Sequence, residues 1–144
     1  MDDMESILVP VDGSELSKLA FEKALTFARM MDAGITLVNV IPPIIREQYN
    51  VDPDPEPEMI EAVSEMLDEL ADKVKDESLE IETKIEHGRP SRKIIEMSRD
   101  HDLIIMGARG QNPITSLVIG SVSEKVAGKA CCPVMLIGER CGQL

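Results

Sequence analysis

Five short apolar runs alternate along this chain with four stretches of helical periodicity, and no other feature limits the fold as tightly. The runs cover residues 7–11, 35–41, 79–85, 103–106 and 133–137. A continuous apolar run of this length is the pattern of a strand buried on both faces. Residues 79–85 differ, because they alternate strictly between apolar and polar and so have one wet face. The first helical stretch carries Leu16, Ala20, Ala24, Phe27 and Met31 on one face, starts on an Asp or Ser cap at 12–15, and is closed by Gly34. The second carries Ile60, Val63, Leu67, Leu70 and Val74, with an acidic, solvated opposite face. The third carries Ile94, Ile95 and Met97 behind Pro90, and the fourth Val122, Val126 and Ala130, with Ser121 and Glu124 spaced as a capping box.

Strands that alternate with helices build a parallel sheet covered on both faces. Two orders are common, 2-1-3-4-5 and 3-2-1-4-5. The alternating third strand suits an edge, which selects 3-2-1-4-5. The expected fold is an α/β, open, doubly wound, parallel five-stranded sheet in a single domain over residues 1–144. In that order the winding reverses between strands one and four, and ligands of such sheets bind beyond the carboxyl ends at the reversal. Asp12 leaves strand one there and Gly107 leaves strand four. Pro10 fits a strand only at its exit, where no ladder donor is needed.

Residues 106–121 run from a strand through Gly107, Gly110 and Gly120-Ser121 into a helix, with the spacing Gly-x2-Gly-x9-Gly-Ser. Glycine admits close backbone approach, and consecutive N–H groups at a helix start concentrate positive potential. The loop reads as a cradle for nucleotide phosphates. It lacks the Gly-Lys-Ser/Thr ending of a Walker loop, so no lysine is placed on the phosphates.

Composition excludes several classes. Aromatics are 2% of residues, too few for base-stacking platforms, and a net charge of −12 repels a duplex or an anionic membrane. No apolar run approaches the ~18 residues of a membrane span, and the acidic start does not read as a signal peptide. Cys131, Cys132 and Cys141 are odd in number and lack metal-type spacing, which predicts a reduced, cytoplasmic chain. His87 and His101 read as ordinary surface or turn residues. Residues 42–57 hold five of the nine prolines and read as the one long irregular segment, either a functional flap or an excursion. The last strand is an apolar edge without charge, which predicts pairing with its own copy across a two-fold axis through residues 134–137, unless the tail or a helix covers it.

These residues carry a resemblance. The chain resembles the universal stress protein family, ATP-binding type, through Ile7-Leu8-Val9-Pro10-Val11-Asp12-Gly13-Ser14, the Gly88 turn, residues 102–110, Gly120-Ser121 and Cys132-Pro133-Val134. The resemblance implies a homodimeric, adenine nucleotide alpha hydrolase-like fold that binds ATP, with Mg or Mn accompanying the phosphates. It implies a site drawn from Pro10, Val11, Asp12, Val40, Gly107, Arg109, Gly110, Gly120, Ser121, Val122 and Ser123. In it Asp12 holds the ribose hydroxyls, Val40 touches adenine, and the glycines and serines hold phosphates. Asp12 and Ser121 also read as simple helix caps. Arg109 stands where the family often has His, and reads as a phosphate clamp or a solvated side chain. Residues 112–115 depart from the usual small-residue pattern. Three functions follow: a nucleotide-dependent regulatory module, an ATP hydrolase of slow turnover at most, or a nucleotide-free scaffold.

Overall fold

The computed structural model describes residues 4–46, 50–52, 54–110 and 119–139. Five parallel strands form the main sheet: β1 (Ser6–Pro10), β2 (Gly34–Ile41), β5 (Ile81–His87), β6 (Leu103–Gly107) and β7 (Val134–Ile137). Their spatial order is β5-β2-β1-β6-β7, which is 3-2-1-4-5 among the strands of this sheet. The register sets Ile7 beside both Ile35 and Leu103, and Gly107 beside Ile137.

Helices α1 (Glu15–Met31) and α2 (Pro57–Asp72) cover one face, α3 (Pro90–Met97) and α4 (Ser121–Lys129) the other. The larger core lies on the first face, where Phe21, Ala24, Leu25 and Ala28 of α1 and Leu67 and Leu70 of α2 meet Ile7, Val9, Leu37 and Ile105. The smaller lies on the second, where Ile94 and Val126 meet Leu8, Val38 and Ile104. Alternate residues of β1 thus serve opposite cores, as a doubly covered strand requires. The edge strand β5 sends Ile81 and Ile85 into the larger core and leaves Glu82 exposed.

Several local expectations are corrected. Residues 42–57 are not wholly irregular. Strands β3 (Ile44–Arg46) and β4 (Asn50–Asp52) pair antiparallel, with Ile45 opposite Val51. The prolines flank this β-branched pair and do not interrupt it. Helix α1 ends on Asp32, at φ +53°, two residues before Gly34. Aspartate tolerates the left-handed region, and Gly34 already opens β2, donating its N–H to Glu5 O at 2.9 Å. The buried face of α1 is broader than the stripe read from periodicity and includes Ser17, Phe21, Leu25 and Ala28. Ile60 is 39% exposed and lies off the core face of α2. Ser121 is the first helical residue of α4 and not its cap, because Gly120 is pinned there by donating its N–H to Ala108 O at 2.8 Å.

Candidate functional site

Sheet and loop converge at the carboxyl ends of β1 and β6. Pro10 is the last residue of β1, and the ladder resumes where Val11 N donates to Val38 O at 2.8 Å. The Val11 carbonyl accepts from Asn39 Nδ2 at 2.8 Å. The chain then turns through Gly13, at φ +86°, a value that only glycine adopts without strain. Asp12 Oδ1 accepts from Ser14 N at 2.9 Å, and Ser14, not Asp12, caps α1 by accepting from Ser17 N at 3.2 Å. These bonds fix the direction of the Asp12 carboxylate.

The other wall is the glycine loop. A Cβ placed on Gly110 would lie 2.6 Å from Asp12 Oδ2, so the carboxylate faces the bare Cα of the loop. Two segments almost one hundred positions apart in the chain therefore meet, and a side chain at 110 would fill the place where they do. Gly120 closes the far end: a Cβ there would sit 3.5 Å from Ala108 O and from Arg109 Cα. The loop thus leaves and returns at one point, directly before the first turn of α4, whose N–H groups lack intrahelical acceptors.

Gly107 has a different reason to be glycine. A Cβ there would stand 3.0 Å from Leu16 Cβ and 3.1 Å from the Leu16 carbonyl carbon, so this position seats α1 against β6. Ser123 is buried and donates its hydroxyl proton to Gly107 O at 2.8 Å, tying α4 to the end of β6. Val122 and Val40, the latter on β2, are both partly buried against the smaller core. The Arg109 side chain is mostly sheltered, at 11% exposure. Its Nη2 donates to Glu139 Oε1, beyond β7.

The structure therefore gathers Pro10, Val11, Asp12, Gly107, Arg109, Gly110, Gly120, Ser121, Val122 and Ser123 around the end of β1 and β6, with Val40 on the neighbouring strand. The expectations for residues 111–118, including 112–115, and for Cys141 lie outside the described residues. Sequence reasoning missed Asn39, Ser17 and Glu139. Asn39 was signalled as a polar break in an apolar strand, whereas nothing local to Glu139 marks it. Among the described residues, no group of three or more His, Cys, Asp and Glu side chains is placed to hold a metal ion, and no helix is long and apolar enough to cross a membrane. Cys131 and Cys132 are free thiols, and burial raises the pKa of Cys132.

Comparison with known proteins shows the family and the fold. The model of the universal stress protein family matches residues 4–138. A Staphylococcus saprophyticus protein named for the same family is 32% identical over 141 residues, covering 92% of this chain and 83% of its own. A universal stress protein of Lactobacillus plantarum has the same fold, at 28% identity and a TM-score of 0.68, over 95% of this chain and 99% of its own. An Archaeoglobus fulgidus universal stress protein solved with dAMP shares the fold at 22% identity and a TM-score of 0.72, over 95% of this chain and 99% of its own. The chain belongs to the universal stress protein family.

Proposed function

We propose that the crevice beyond β1 and β6 binds ATP and that the protein is a nucleotide-dependent regulatory module. The observation that carries this reading is the meeting of Asp12 Oδ2 with the bare Cα of Gly110. A carboxylate accepts hydrogen bonds from a pair of ribose hydroxyls, and backbone N–H groups and hydroxyls around Gly110, Gly120 and Ser121 donate to phosphate oxygens. The end of β2 at Val40 offers backbone groups to the adenine edge. The dAMP of the Archaeoglobus protein supports an adenine nucleotide as the class of ligand. A Mg or Mn ion would be held by the phosphates themselves. Hydrolysis requires a placed base and fixed charge on the leaving phosphates, and Asp12 is committed to ribose in this reading, so storage and signalling suit the site better than turnover.

The protein purified without added nucleotide, then denatured, is expected to release an adenine nucleotide, and isothermal calorimetry is expected to show ATP binding that Gly110→Val abolishes. No released nucleotide together with no calorimetric heat would overturn the reading.

The same module is proposed to be a homodimer. All four residues of β7 are half-buried apolar side chains on the last strand of the sheet, which a second copy would pair. Sedimentation is expected to show a dimer that Val134→Glu dissociates.

A further inference from the structure

Arg109 lies between the two glycine ends of the loop, yet its guanidinium turns away to Glu139, thirty residues on. The arginine half of the pair is sheltered. The Arg109 side chain is 11% exposed and that of Glu139 32%, against 47% and 41% for the surface pair Arg29–Glu77. A sheltered guanidinium holds its partner more firmly than a solvated one, because water and salt screen it less. Carboxylate and phosphate offer a guanidinium the same arrangement of two oxygens.

We infer that Glu139 is an internal stand-in for phosphate, which holds Arg109 in the empty protein and yields it to the distal phosphates of a bound nucleoside triphosphate. This rests on the nucleotide reading above. Glu139 has somewhere to go. It lines a groove of about 480 Å³ along α1, shared with Glu22, Ile137 and Lys23, and Lys23 is the one cation among the described residues lining it. The displaced carboxylate exchanges Arg109 for Lys23, so the tail after β7 has two arrangements of similar charge balance. The loop and that tail are also joined through backbone, since Ala108 N donates to Ile137 O at 2.8 Å. Phosphate number at the crevice is thereby communicated to the end of the edge strand β7.

The exchange has a thermodynamic signature. A triphosphate must break the Arg109–Glu139 pair, whereas a monophosphate has no distal phosphate to compete for it. Calorimetry with ATP and with AMP on the full chain tests this. Glu139→Gln is expected to tighten ATP on the order of threefold to tenfold and AMP by less than about twofold. Arg109→Gln is expected to weaken ATP, and Glu139→Gln added to it to change nothing further, because the two residues act as one unit. Glu77→Gln removes the same charge from the exposed pair with Arg29 and is expected to leave ATP affinity unchanged. The inference is overturned if Glu139→Gln shifts ATP and AMP equally, if it shifts neither, or if its effect survives in Arg109→Gln. Binding of ATP that ignores Glu139 defeats the latch alone. Absence of binding by either nucleotide defeats the site reading and the latch with it.

Discussion

An aspartate stands at each end of the adjacent strands β1 and β6, and the two are used in opposite ways. At the amino end, Asp102 Oδ2 accepts from Glu5 N at 2.9 Å and Ser6 N at 3.1 Å, while its own N–H donates to Ser6 O at 2.9 Å. Beside it, His101 Nδ1 is hydrogen-bonded to Ser6 Oγ. The polar groups at this end close on one another and hold the two strands in line. At the carboxyl end, one oxygen of Asp12 shapes the turn into α1 and the other faces the glycine loop. The difference follows from winding. Chain segments leave β1 and β6 for helices on opposite faces, so the carboxyl ends stay apart and a ligand can enter between them. The same residue type on the same pair of strands is a clasp between strands at one end and faces the glycine loop at the other.

Exchanging the fates of these two carboxylates breaks the comparison most directly. Asp12→Ala is expected to weaken ATP on the order of a hundredfold in calorimetry, the loss of a charged acceptor of two hydrogen bonds. Its melting temperature should fall far less. Asp102→Ala is expected to do the reverse. It should lower stability by about 1–3 kcal/mol in urea denaturation, since two backbone donors lose a charged acceptor, and leave ATP affinity alone. If Asp102→Ala weakens ATP as strongly as Asp12→Ala, the two ends are not separate.

The smallest effect sharpens the description of the amino end. His101 is held below its ordinary pKa of 6.5, first by burial and then by Lys84, while Asp100, Asp102 and Glu82 pull it upward. Its folded pKa lies under its unfolded one, so the folded state favours the neutral ring. The contribution is complete above the unfolded value and is lost as pH falls below it, because the unfolded chain takes up the proton first. Urea midpoints taken from about pH 8 to about pH 5.5 are expected to decline on the acidic side, and His101→Gln is expected to flatten that decline. A wild-type profile without a decline would show that the ring is not held neutral.

Much of the architecture was written locally. Apolar runs specify buried strands, alternation specifies the wet edge strand, and together they led to the 3-2-1-4-5 order and to the crevice where Asp12 meets the glycine loop. Local readings failed where two neighbouring signals competed. Gly34 looked like the stop of α1 but serves as the start of β2, and Ser121 looked like a cap but follows one. The proline-rich stretch hid β3 and β4, because proline punctuation masked a short β-branched pairing.

Periodicity and steric preference act over a few residues, so the sequence alone determined the elements of the main sheet, their layering and their order. The partners of individual long side chains were decided only in three dimensions. Register and winding brought Glu139 to Arg109, Leu16 onto Gly107, and Asp102 to the backbone of Glu5 and Ser6. Contacts across such separations leave no local signature: Glu139, Arg109 and Asp102 are as well satisfied by water as by a partner, and an apolar face does not say which strand it will meet until the sheet sets its neighbour beside it.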